Sequence, residues 1–222
     1  MYNAAEINEK QSKQEYAYQV LKEMILSNQL PADTSLVERQ LCDMLNLSRT
    51  PIKAALQALE NDGLVVTYKG RGCVVSRIQI GDFVEVFQLR SALDLLALKL
   101  FMQKNNGEIV KKLHSIVDDM AEFLAKEDYA SFVQCDSAFH DCYFYNTGNK
   151  RLERIMAMIS DQIRRILNLT ASDREQCRKS YQDHCLMLEA IEAGDIARAT
   201  ELLSVHISDS LEYHVRKITR FD

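Results

Sequence analysis

From Gly81 to Asp222 the sequence places apolar residues three and four positions apart almost without interruption, and this stretch contains no proline. That spacing gathers side chains on one face of an α-helix. The whole chain of 222 residues has only seven Gly and two Pro, so little material exists for turns and long helices are expected over many short strands. Breaks fall near Asn105-Asn106-Gly107, Thr147-Gly148-Asn149 and Gly194-Asp195. They predict helices over 107–126, 128–146, 149–170, 174–193 and 195–218. Ahead of these, Asp82 with Glu85 fits a capping box, followed by Val86, Leu89, Leu93, Leu96 and Leu100 at helical spacing. Residues 79–222 are therefore expected to form an all-α bundle of about six helices.

Residues 1–78 read differently. YAYQVLKEMILS carries a helical stripe (Val20, Leu21, Met24, Ile25) and is stopped by Pro31. LVERQLCDMLN fits a second short helix with Leu41, Met44 and Leu45 inward. A third, PIKAALQALENDG, buries Ile52, Ala55, Leu56 and Leu59 and ends at Gly63, with Ser48 or Thr50 available as its cap. LVVTYKGRGCVVS then forms two β-rich runs around Lys69-Gly70-Arg71-Gly72, a hairpin with a glycine-rich tip. Three helices and a hairpin describe a winged helix-turn-helix. A purely structural helical domain is the bland alternative. Placement of charge favours the winged form, because basic residues fall at the start of the third helix and at the hairpin tip.

Net charge is −5, which at first argues against nucleic acid. Residues 1–80, however, hold nine Lys/Arg and nine Asp/Glu, so the acidic excess lies entirely in the remainder. A local positive surface is the electrostatic footprint that DNA requires. No apolar run approaches the roughly 20 residues needed to cross a bilayer, so no membrane role is expected. The first residues lack a basic segment followed by an apolar one, and a cytoplasmic location is expected. Six cysteines are scattered without a C-x-x-C pair, which suits free thiols rather than a disulfide frame or a thiolate zinc site.

Within DSAFHDCYF, Asp136 and His140 stand four residues apart on an apolar helical face. His184 shares a face with Met187, Leu188 and Ile191, and His206 with Leu202, Leu203 and Tyr213. An isolated Asp/His pair is more often an ion pair or a satisfied core histidine than a ligand set. Burying four such groups separately would cost roughly 2–7 kcal/mol each, whereas meeting at one metal ion solves all four problems together. Imidazole nitrogen with carboxylate suits Zn above all, with Ni, Fe, Mn or Co also compatible, and leaves room for an oxygen donor. His214, beside Arg216 and Lys217, reads as a solvated terminal residue.

Taken together, LVERQLCDMLNLSRTPIKAALQALENDGLV, GRGCVV, and Asp136-x3-His140 with His184 and His206 resemble the GntR family of bacterial transcription regulators. The likeness is to the FadR subfamily with an FCD effector domain, and the six-helix count is similar to its VanR-type branch. This resemblance implies a DNA-binding domain over 1–78 and an FCD-type ligand-binding and dimerisation domain over 79–222. It also implies a homodimer on a pseudo-palindromic double-stranded DNA operator. Arg39, Ser48, Arg49, Thr50 and Lys53 would belong to the DNA-contacting set, with Gly70, Arg71 and Gly72 entering the minor groove. Lys53 stands where the family usually has Arg, giving a point charge without the bidentate fork. Asp94 stands where a Glu is common. A small carboxylate effector would bind the metal and pair with Arg90, with Arg164 behind it.

The function expected is therefore a metal-dependent, ligand-responsive transcription regulator and not an enzyme. A metal-dependent hydrolase or isomerase on a helical bundle is the alternative, disfavoured by the lack of H-E-x-x-H and of a further carboxylate placed as general base. A third reading makes the metal purely structural.

Overall fold

A computed structural model describes residues 12–70, 72–104, 107–170 and 174–219. The chain divides into two compact units, Met1–Ile78 and Gln79–Asp222. The first is a helix-turn-helix with a small β wing and the second is an all-α bundle.

In the first unit, α1 (Lys13–Leu26) starts three residues before the expected stripe, because Ser12 caps it by accepting from the Glu15 amide at 3.1 Å. Its polar first turn leaves no periodic signal. Helix α2 (Glu38–Leu45) ends on Asn46, whose φ of 52° is the left-handed conformation that Asn tolerates. Ser48 takes the N-cap position of α3 (Arg49–Asn61) without a side-chain hydrogen bond. Pro51 thus lies within the first turn, where a missing N–H loses nothing. Leu21, Ile25, Leu45, Ile52 and Leu59 close the core beneath α1 and α3.

The hairpin is present as β2 (Val65–Tyr68) and β3 (Gly72–Val75), with Val65 opposite Val75 and Tyr68 opposite Gly72. Gly70 and Gly72 have φ of +84° and +79°, where a side chain would be strained. A third strand, β1 (Ser35–Leu36), pairs antiparallel with β3 and gives the order β1-β3-β2. Two residues are too short to show alternation, so the sequence does not reveal it.

The second unit holds, among the described residues, α4 (Ile80–Met102), α5 (Gly107–Ala125), α6 (Tyr129–Phe144), α7 (Lys150–Thr170), α8 (Arg174–Glu192) and α9 (Ile196–Ile218). Helix α4 packs against α6, α7 and α9; α5 packs against α6 and α8; α8 packs against α9. The capping box at Asp82 does not form. Gln79 is the N-cap, and Asp82 lies inside the first turn, where its charge still complements the helix dipole. The stripe of Leu89 and Leu96 is exposed, while Phe83, Val86, Phe87, Arg90, Asp94, Ala97, Leu98 and Phe101 are buried. Three phenylalanines supply more buried area than the leucines, so α4 turns that face inward although it carries a buried ion pair.

Candidate metal centre

Helix α6 supplies Asp136 and His140, α8 supplies His184, and α9 supplies His206; all four are buried. One donor atom from each lies within 4.8 Å of the others. Opposite ligands of a single ion, at bonds of about 2.0–2.2 Å, stand roughly 4 Å apart. The rings are clustered accordingly, with centroids 5.3 Å apart for His140 and His184, 5.4 Å for His140 and His206, and 4.8 Å for His184 and His206.

Hydrogen bonds set which nitrogen of each ring faces the cluster. His184 Nδ1 lies 2.7 Å from the Ser180 carbonyl, which can only accept, so Nδ1 carries the proton. His206 Nδ1 donates to Asp183 Oδ2 at 3.2 Å. His140 Nδ1 lies 2.8 Å from the Tyr143 hydroxyl, which donates to Asp94 Oδ1 at 3.2 Å, so Nδ1 of His140 is again the donor. All three rings therefore present Nε2 as a lone pair. Nε2 of His140 and of His184 is buried and has no hydrogen-bond partner among the described residues. Such orphaned acceptors are costly inside a protein, and a metal ion is the partner that suits three imidazole lone pairs and a carboxylate. Outer hydrogen bonds of this kind orient ligands and raise their basicity.

Electrostatics prepares the same state. Burial pushes His140 well below the usual histidine range, helped by the charge of Arg90, and holds it neutral. Burial likewise takes His184 to about 4, against the opposing pull of Asp136. Burial would raise Asp136, but it is held below the usual carboxylate range by the positive charge that His184 and His206 carry when protonated and by Arg90, while the Ser180 hydroxyl donates to it at 2.8 Å.

A cavity of about 40 Å³ opens onto Asp136 and His206 and is also bordered by Ser180, Ser210 and His214. His214 is buried, not solvated: α9 continues to Ile218, and positions 206, 210 and 214 repeat at four-residue spacing on its inward face. That spacing is the signal that could have revealed it; the neighbouring cations sit on other faces of the same helix. Arg90 is buried in an ion pair with Asp94 at 3.2 Å, and Arg164 on α7 is half-buried; neither borders this cavity. The sequence marks Asp94 only as standing where a Glu is common; its link through Tyr143 to His140 leaves no sequence signal, because Asp94 and Tyr143 lie 49 residues apart.

In the first unit, Arg39, Ser48, Arg49, Thr50, Lys53, Gly70 and Gly72 are all exposed. Arg71 lies outside the described residues. Of the nearby acids, Glu60 accepts from the Thr67 amide at 2.9 Å and Asp62 from the Tyr18 hydroxyl at 2.6 Å. Arg77 pairs with Asp33 at 2.8 Å.

Residues 85–209 match the FCD domain, and residues 13–75 match the bacterial regulatory proteins of the gntR family. The uncharacterized HTH-type transcriptional regulator YdhC of Bacillus subtilis (strain 168) is 24% identical over 200 residues, covering 88% of each chain. The gluconate operon transcriptional repressor of the same strain is 23% identical over 196 residues, covering 84% of this chain and 77% of the repressor. The solved structure of E. coli McbR/YncC superposes with a TM-score of 0.82 at 16% identity, covering 94% of this chain and 99% of that one, and shows the same fold. No described helix is long and apolar enough to cross a membrane.

Proposed function

The chain belongs to the GntR family of bacterial regulators, with an FCD-type effector domain, and from that premise we propose a metal-dependent, acid-sensing transcription regulator. Family and fold make it a DNA-binding regulator and not the hydrolase or isomerase of the alternative reading. It acts as a homodimer on a pseudo-palindromic operator. Within the family we propose the FadR subfamily and its VanR-like branch, a reading that rests on the count of six helices among the described residues of the second unit.

The observation that carries the metal half is the pair of buried, unpartnered Nε2 atoms of His140 and His184 beside the ionised Asp136. These residues and His206 would hold a divalent transition metal, with Zn favoured by three imidazoles and one carboxylate. When bound, the ion offers a further coordination position to an oxygen donor. The adjoining cavity favours a small acid, and a relative named for the gluconate operon supports an organic acid as the class of signal. Arg90 and Arg164 are the cationic effector-binding residues of this reading; both lie outside the cavity, so Arg90 would act on an effector carboxylate through its charge, which reaches Asp136 and His140, and not by bordering the cavity.

In the first unit Arg39, Ser48, Arg49, Thr50, Lys53, Gly70, Arg71 and Gly72 meet DNA. Arg suits bidentate contact with guanine, and helix N-terminal amides suit phosphate. The effector changes DNA affinity by favouring one arrangement of the protein over another, a coupling of about 1–3 kcal/mol.

Elemental analysis of protein purified without chelator or a metal-affinity tag tests the metal. About one ion per chain is expected, and His140→Ala should lose it while the first unit keeps its fold. Equal metal content in wild type and His140→Ala would overturn the site. Protein that stays metal-free after titration with zinc would do the same.

A further inference from the structure

All four proposed ligands are buried, so anything that reaches them must pass between helices. Asp136 and His206 border the inner cavity of about 40 Å³, whereas His140 and His184 do not. A larger hollow of about 500 Å³ lies along the exposed side of α8, lined by Glu175, Gln176, Arg178, Lys179 and Gln182, with Tyr213 of α9. Gln176 and Tyr213, both half-buried, border the two spaces alike.

Helix geometry explains this division. Successive residues of α8 turn by about 100°, so Cys177 and Ser180 look onto the inner cavity, Arg178 and Lys179 onto the outer hollow, and Gln176 stands at the boundary. One glutamine and one tyrosine therefore form the wall between solvent and the ligand set.

The rim carries a charge unlike its surroundings. Residues 81–222 hold the acidic excess of the chain, yet the hollow is lined by two cations and one acid. Lys179 is tied to Asp209 on α9 at 2.6 Å and lies 3.4 Å from Asp183, which also accepts from His206. Arg178 is exposed and has no ion-pair partner among the described residues.

From this arrangement we infer that the hollow along α8 is the entrance to the buried ligand set, with Gln176 and Tyr213 as its inner gate and Arg178 as the charge that draws in small anions. A cleft lined by one sign of charge raises the local concentration of the opposite sign. The route thus suits a carboxylate, while a free metal cation must cross the same rim against Arg178. Lys179 acts differently: its bond to Asp209 ties α8 to α9 beside the gate, and through Asp183 it adjoins the ligand His206.

The inference rests on the metal reading above, and the test separates the two. Zinc uptake by chelator-treated full-length protein is timed with a chromophoric zinc indicator, and zinc release with excess EDTA. Gln176→Ala should speed both rates about tenfold and Gln176→Trp should slow both, leaving their ratio, and so the affinity, unchanged. Damage to the ligand set would shift that ratio instead and would overturn the role of Gln176. Arg178→Glu should speed zinc uptake about threefold at low salt and lose that advantage at high salt. Acetate, followed by the visible bands of cobalt-loaded protein, should arrive about threefold more slowly in the same variant. Zinc and acetate both slowed, or both speeded, would overturn the role of Arg178. Protein that takes up no zinc would overturn the metal reading and this entrance with it. Zinc bound at rates that neither Gln176 variant nor Arg178→Glu changes would overturn the entrance alone.

Discussion

The Tyr143 hydroxyl lies 2.8 Å from Nδ1 of His140, one helical turn away on α6. The same oxygen donates to Asp94 Oδ1, while Asp94 Oδ2 accepts from Arg90 at 3.2 Å. The proposed ligand is thus tied through one tyrosine to an ion pair on α4. This chain of bonds fixes the tautomer that leaves Nε2 facing His184 and His206.

Tyr143→Phe removes that tie with little change in volume. Metal affinity, measured by zinc titration against a competing chelator, should fall roughly 10- to 100-fold. Unfolding in urea should show a loss of about 1–3 kcal/mol, because a buried donor and acceptor lose their partner. An unchanged zinc affinity with the same loss of stability would confine Tyr143 to packing.

Asp94→Ala leaves the buried Arg90 guanidinium without its carboxylate. Breaking a buried pair from one side costs about 3–5 kcal/mol, and the urea midpoint should drop accordingly. Arg90 and Asp94 both replaced by apolar residues should recover much of the stability but not the zinc affinity. A single Asp94→Ala variant as stable as wild type would show that the pair contributes nothing.

Acid should weaken the metal-free protein through its buried histidines. Burial takes His184 and His214 from the ordinary 6.5 to about 4. Between those values the unfolded chain binds a proton that the folded chain refuses, so stability present above pH 6.5 is lost as pH falls through 4. Each contributes about 3 kcal/mol to the full loss. Chelator-treated protein unfolded in urea at a series of pH values should show this slope, and His214→Gln should remove its share. An identical slope in that variant would mean that His214 protonates in the folded state without cost.

Arg49→Ala should weaken operator binding. If the side chain meets a phosphate, the slope of log affinity against log salt should shrink by about 1, equally for specific and non-specific DNA. If it reads a base, the loss should be confined to the specific site at about 1–3 kcal/mol. Binding as tight as wild type would remove Arg49 from the contact set.

Local pattern determined much of this protein. Three-and-four spacing between turn residues placed the six bundle helices to within a residue or two, apart from the first start. Inward placement of Asp136, His140, His184 and His206 also followed from their apolar neighbours, because each sits on a face whose burial is decided within its own helix. Tertiary structure decided the rest. Where α4 is apolar on both sides its pattern is degenerate, and packing against α6, α7 and α9 turned the phenylalanines inward and left Leu89 and Leu96 outside. Strand β1 exists only because β3 is there to pair with it. The tie from Asp94 through Tyr143 to His140 joins helices far apart in sequence, and the spacing of 206, 210 and 214 puts His214 on the inward face of α9 while packing against Phe83 and Phe87 of α4 covers it. Periodicity reports what a segment can bury; which long-range partner covers it is a property of the assembled core.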